Sequence, residues 1–356
     1  MSPCPHALLV HPDLGVRPPG VPVPPALAAW PGPLTEVFNR WLRQRDDATH
    51  AAEKSLVLQV MRAVSDAAVR EEAARQAALA VQCHGWDHWV WAVPAGTVAG
   101  LLGMRVMTVP QQHLLVRQLR AIAAALAPEA TRASVMGGHA AVAALLQALR
   151  QAEADAPDAP LQAAWLHHRS CGDRKPWADA MTREAHRLAW LWQSHEAGSA
   201  LLGHGLWQLA VSGEAPDRDG LRAIARDGGA VRLTRRFAQR DLAVGGVAVA
   251  AGAPVTVLLA GSEWIFGAGA HACPGESMAL TTAASALRWV QASAYKPLPT
   301  RHRAMTLANM TVLLFDDEPA GAEGDVTAAV TVEAGTEADV KRRSWNESPP
   351  SSGVLA

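Results

Sequence analysis

Phe266-Gly-Ala-Gly-Ala-His-Ala-Cys-Pro-Gly275 is the stretch on which the reading of this 356-residue chain turns. Glycines at 267, 269 and 275 permit a tight loop with positive φ values, which residues carrying a Cβ resist. The periodic segment that begins at Glu276 is helical in pattern, so Cys273 stands at the mouth of a helix rather than inside one. Amide groups at a helix start favour an anionic thiolate.

The surrounding composition sets the frame. The chain is 49% hydrophobic and 18% charged, enough apolar material for one large helical domain or two ordinary ones. With 32 Lys and Arg against 33 Asp and Glu, the net charge of -1 provides no whole-chain field for nucleic acid or an anionic membrane. Four cysteines are too few for a disulfide framework at this length and read as reduced thiols, which implies a cytoplasmic protein. No charge-free apolar run is long enough to span a bilayer. The aromatic set is lopsided, 13 Trp against 4 Phe and one Tyr, and core packing is its default use.

Ten prolines within the first 33 residues mark residues 1–34 as an extended lead-in, because proline at that density disfavours helix interiors and central strands. Residues 317–356, poor in large apolar side chains, read as a disordered tail. Between them, 35–316 is Ala- and Leu-rich with helical period over 35–44, 50–64, 66–81, 98–104, 111–127, 138–154, 181–211 and 276–291. Val-rich alternation over 231–259, punctuated by Gly245, Gly246 and Gly252, predicts a small hairpin sheet, and 306–315 predicts a closing strand. The fold class is mainly α, an unequal α+β arrangement.

A thiolate in a Gly-rich loop, flanked by the aromatic Phe266 and the cation-capable His271, suits an axial ligand of haem iron. Phe266, Gly269, Cys273 and Gly275 fill every defined position of Phe-x-x-Gly-x-x-x-Cys-x-Gly, and here the sequence resembles the cytochrome P-450 superfamily of bacterial type. The resemblance extends to 233–255, around Arg236, and to Val98–Met104, which resembles the end of the E helix. Asp47-Ala-Thr-His50 with Lys54 resembles the start of the C helix, and Gln193–Gly203 the central I helix. It implies haem b (iron protoporphyrin IX) held through Cys273, with Arg236, His271, His50 and Lys54 meeting the propionates and Glu196 on the distal side. Charged partners for a carboxylate make chemical sense at these positions, the Arg best of all.

The resemblance also implies a monooxygenase acting on a small organic substrate with electrons from a ferredoxin or reductase. Departures from the family pattern bear on that chemistry. The Glu-x-x-Arg of the K helix falls on Ala223-Ile-Ala-Arg226, so the Arg has lost its acid. The meander before the Cys loop is missing and the region before His50 is reduced. Arg226, without its usual partners, is expected to be exposed or paired with Asp227 or Glu263. The alcohol that follows the I-helix acid is Ala197, with Ser194 and Ser199 the nearest alternative hydroxyls. Relay of protons to bound dioxygen relies on that pair, so peroxide-driven or non-oxidative haem chemistry stands beside the ordinary reaction. A non-catalytic P-450-like binding or recruitment domain is the alternative.

Two other groupings have metal-like content, Cys83-His-x-x-x-His88 and His167-His-x-x-Cys171, yet neither has a second half at zinc spacing. His113 and Arg117 read as surface, and Trp192 as the tryptophan to test for a pocket wall.

Overall fold

The computed structural model describes residues 4–83, 85–170, 179–293 and 297–315. The N-terminal stretch is more ordered than its prolines suggest. Two five-residue helices, α1 (Pro5–Leu9) and α2 (Pro25–Ala29), flank the short strand β1 (Leu14–Gly15), and α3 (Pro33–Phe38) follows. All three helices carry proline in their first turn, where an absent N–H removes no intrahelical bond and the fixed φ is already helical. Leu27 and Leu34 are fully buried, so this stretch packs as part of the body rather than running extended along it.

The helices α4 (His50–Ala63), α5 (Asp66–Ala80), α6 (Trp86–Leu101), α7 (Val109–Leu126), α8 (Arg132–Asp155) and α9 (Pro160–Ser170) come next. The proline at 94 obscures α6 in the sequence, where only its C-terminal end shows a clear helical period; burial of nearly the whole helix compensates for the hydrogen bond lost. The 33-residue α10 (Ala180–Ser212) is the axis of the molecule, about 50 Å long. Asp179 caps it by accepting from the amides of Met181 and Thr182, and Gly213 ends it in the left-handed conformation. A short α11 (Arg218–Ile224) follows, and α12 (Glu276–Ser293) comes after the sheet region.

The sheet is small. β2 (Leu233–Ala238) lies between β1 and β5 (Pro254–Leu258), antiparallel to both, while β3 (Leu242–Val244) and β4 (Val247–Val249) form a separate hairpin. The closing strand expected at 306–315 is a hairpin instead, β6 (Arg303–Thr306) with β7 (Thr311–Leu314). Between Leu258 and Phe266 the chain makes only a tight turn through Gly261. The 317–356 tail lies outside the described residues.

Three apolar clusters result. One joins α3, α4, α7, α8, α9 and the first half of α10; a second joins α5, the start of α6, the second half of α10, α12 and β7; a third backs the sheet against α1. Tryptophans 41, 86, 89 and 165 are fully buried in the first two, which gives the Trp surplus its packing role. Gly198 of α10 lets the helix lie directly on Pro94 of α6: a Cβ there would come within 2.6 Å of the proline Cβ. Gly198→Val should therefore destabilise by about 1–3 kcal/mol through overpacking. The check is a thermal melt, with a Tm several degrees below wild type and a parallel Gly137→Val control, at a glycine with open space beside it, nearly unchanged.

Candidate functional site

Where the three clusters meet, the structure encloses a cavity of about 530 Å3, within the range of roughly 300–1,000 Å3 usual for small-molecule and cofactor sites. Val57, Val98 and Trp190 come to its wall from the first cluster, Leu201 and Ile265 from the second, Leu9 and Leu259 from the third. The tryptophan on the wall is Trp190; Trp192 instead stacks on Trp41 with ring centroids 4.7 Å apart.

The Cys loop forms one side. The amide of Gly267 donates to the Trp264 carbonyl and that of Cys273 to the Phe266 carbonyl at 2.8 Å, folding the loop back on itself. Gly267 and Gly269 have φ of 77° and 63°, and a Cβ on Gly269 would touch Val10 at 3.0 Å. Phe266 packs on the second cluster and also lines the cavity. Cys273 is surrounded by protein and yet presents open surface, because the surface it presents is that of the cavity. Burial raises its thiol pKa, while the Gly275 amide and the nearby charge of Lys54 oppose that rise.

The cations gather on this side. Lys54 reaches across from α4 to donate to the Ala272 carbonyl, and burial lowers its pKa. One turn earlier His50 is 5% exposed, its ring 4.6 Å from that of His271, and its Nε2 has no hydrogen-bond partner. His271 is held from behind by Asp46, with Nε2 and Oδ1 2.7 Å apart. Strand alternation turns Arg236 inward and Arg235 outward. Arg236 is 5% exposed, bonds only Thr234 Oγ1 and the Arg235 carbonyl, leaves Nε unpartnered, and has its pKa lowered by burial. The sequence expectation thus has His50, Lys54, Arg236, His271, Phe266 and Cys273 brought to one cavity, with Gly269 shaping its loop.

One residue escaped that reading. Arg43, in a 3-10 turn at Leu42–Gln44, projects into the cavity, enclosed by the fold but with open surface, where it acts on both Cys273 and Glu196. Nothing in its flanks separates it from Arg40 or Arg45; only the turn that directs it inward does. Glu196 is partly buried beside the cavity rather than on its wall; burial raises its pKa and Arg43 opposes the rise. From Gln193 onward the wall positions of α10 are Gln193, Ser194, Ala197, Gly198, Leu201 and Leu202, so Ala197 faces the open volume where the resemblance places an alcohol. Neither neighbouring serine replaces it. Ser194 donates to the Leu191 carbonyl at 2.9 Å, and the buried Ser199 to that of His195 at 2.6 Å. Arg226 is exposed, the outcome that a guanidinium without its acids requires.

This architecture has close counterparts among solved structures. P450BioI, solved in complex with hexadec-9Z-enoic acid ligated acyl carrier protein, superposes with a TM-score of 0.67 at 16% identity, over 87% of this chain and 90% of its own. The chain has the cytochrome P-450 fold. Epothilone B-bound cytochrome P450epoK matches at 0.66 and 16%, over 88% of this chain and 90% of its own; substrate-free CYP109E1 from Bacillus megaterium matches at 0.64 and 14%, over 87% and 90%. No family model and no curated protein matches the chain. No helix among the described residues is long and apolar enough to cross a membrane.

Within this P-450 fold, α4 is fixed over the cavity by one buried pair. Glu53, 3% exposed, accepts from Arg45 and Thr49 and faces His186 of α10 with Oε2 and Nε2 2.8 Å apart. Burial by itself would raise the Glu53 pKa; the bonds from His186, Arg45 and Thr49 outweigh it and hold the carboxyl at about 2, below its ordinary 4.5. A depressed carboxyl stabilises the fold above its unfolded pKa and loses that contribution as pH falls from about 4.5 through about 2. Glu53→Gln should cost about 3 kcal/mol at neutral pH, as expected for one partner of a buried pair. Equilibrium unfolding between pH 7 and pH 3 should show the gap between variant and wild type narrowing as the solution is acidified.

Proposed function

We propose that this chain is a haem-thiolate oxidoreductase that holds iron protoporphyrin IX through Cys273 and oxidises a small organic molecule in the cavity above it. The observation that carries the reading is the cavity-facing thiol of Cys273 beside buried cations that have no acid of their own. Two propionates would supply the missing negative charge, paired with Arg236 and Lys54 and bonded by His50 and His271, which Asp46 already orients. Arg43 is a fifth candidate partner. Haem supplies redox chemistry at its iron when bound, with a thiolate pushing electron density toward the metal.

The remaining steps belong to side chains of the chain itself. Lys54 and the Gly275 amide favour the thiolate and so oppose the burial that raises the Cys273 pKa. Leu201, Val98 and Trp190 exclude water and offer an apolar surface to an uncharged substrate. On α10, Ala197 leaves no hydroxyl to pass a proton into the cavity, and the hydroxyl protons of Ser194 and Ser199 are committed to backbone carbonyls. Glu196, its pKa raised, stands at the side to release a proton only through rearrangement near Arg43. An oxidant that brings its own protons, a peroxide, suits this wall better than dioxygen with a redox partner.

The purified protein should be coloured, and its reduced, CO-treated form should show a red-shifted Soret band that is absent in Cys273→Ala. Arg236→Leu should retain the band and weaken haem retention tenfold or more, in line with about 1.5–3 kcal/mol for hydrogen bonds to charged groups. Product formation with hydrogen peroxide should exceed that with a ferredoxin and reductase system, and Ala197→Thr should shift the balance toward the reductase. A colourless, folded protein overturns the assignment.

A further inference from the structure

A cluster that the cavity chemistry leaves unused lies beyond it on α6. Cys83 stands in the turn between α5 and α6, His88 in the first turns of α6, and His113 in the first turns of α7. Their donor atoms all lie within 4.8 Å of one another, and Cys83 Sγ is 3.1 Å from His113 Nε2. The sequence groups Cys83, His84 and His88 with no second half at zinc spacing; in the structure a donor arrives from another helix, on His113, a residue that reads as plain surface. Gly85, at φ 98°, is the residue just before α6.

We propose that Cys83, His88 and His113 bind one divalent transition-metal ion of the Zn2+ class, clasping the α5–α6 turn to α7. One thiolate and two imidazoles are the donor set that Zn2+ and its borderline neighbours prefer, and that Ca2+ and Mg2+ avoid. With metal–nitrogen bonds of about 2.0–2.1 Å and a metal–sulfur bond of about 2.3 Å, tetrahedral donors sit roughly 3.2–3.7 Å apart, so the cluster needs only small side-chain turns. The exposed His113 is free to make them by swinging off the His88 ring, whose centroid is 3.8 Å from its own. His88 Nε2 is buried with no well-formed hydrogen bond. On binding, the Cys83 thiol gives its proton to solvent and its sulfur lone pair to the metal. The exposed side of His113 leaves the fourth position to water.

The site lies apart from the Cys273 cavity. His88 is six residues, about 9 Å of helix, before the cavity-lining Pro94. The test is equilibrium dialysis of the full-length, haem-loaded protein against Zn2+, with bound metal measured by elemental analysis. The wild type should hold one more zinc per chain than the Cys83→Ser/His113→Ala double variant. Either single substitution should weaken binding at least tenfold, and Cys273→Ala should leave that zinc in place whether or not haem is retained. His113→Ala alters an exposed side chain, so its unchanged far-UV circular dichroism keeps the comparison valid. Zinc content equal in wild type and double variant, or binding insensitive to both single substitutions, overturns the site.

Discussion

Arg236, Lys54 and Arg43 line one cavity, and no described acid forms an ion pair with any of them. Taking a cation out of water costs several kcal/mol unless an opposite charge or good hydrogen bonds replace the solvent. What they find within the chain is partial: carbonyls for Lys54 and Arg236, and a distant influence of Asp46, Cys273 and Glu196. The lowered pKa of each records the shortfall. A dianionic ligand in the cavity would remove it, and this is the physical reason for the proposal that a group with two carboxylates is held there through Cys273.

The rest of the architecture keeps that arrangement in place. α10 runs through two apolar clusters and lends one face to the cavity, and the Glu53–His186 pair ties it to α4, the helix that bears His50 and Lys54. Gly198 on Pro94 sets how closely α6 approaches the same wall. On the opposite side the loop of Gly267 and Gly269 is anchored by its own backbone bonds, by the bond from Lys54 to the Ala272 carbonyl and by Phe266 packed on the second cluster. The differences between this chain and the family pattern that bear on the cavity sit on α10 and before α12: an alanine where an alcohol is expected, and a seven-residue turn, 259–265, where a longer meander is expected.

Much of the helical frame was legible because α10, α5, α7 and α8 repeat apolar residues every three or four positions, with Ser65 marking the start of α5; the start of α8 at Arg132, six residues before the expected 138, was not, because Gly137 and Gly138 interrupt the apolar pattern there. α6 was only partly legible, since its proline and continuous apolar run hide the period that a one-sided helix would show. The N-terminal helices were misread because proline density argues against helix interiors, while these helices use proline only in their first turns. The single closing strand proved a hairpin, since one apolar run does not reveal where a chain reverses.

The turn of the Cys loop was determined by the sequence alone, because its positive-φ glycines and its backbone bonds lie within ten positions of one another; its contacts with Val10, Asp46 and Lys54 were not. The lack of a hydroxyl at 197 was also determined by the sequence alone. Which arginine turns inward was not: Arg235 and Arg236 are chemically identical neighbours, and only the strand's register decides between them. Arg43, the wall position of Trp190 in place of Trp192, and the meeting of His113 with Cys83 and His88 likewise belong to the tertiary structure. Each joins residues on separate elements, and their distance is set by helix packing rather than by any spacing written along the chain.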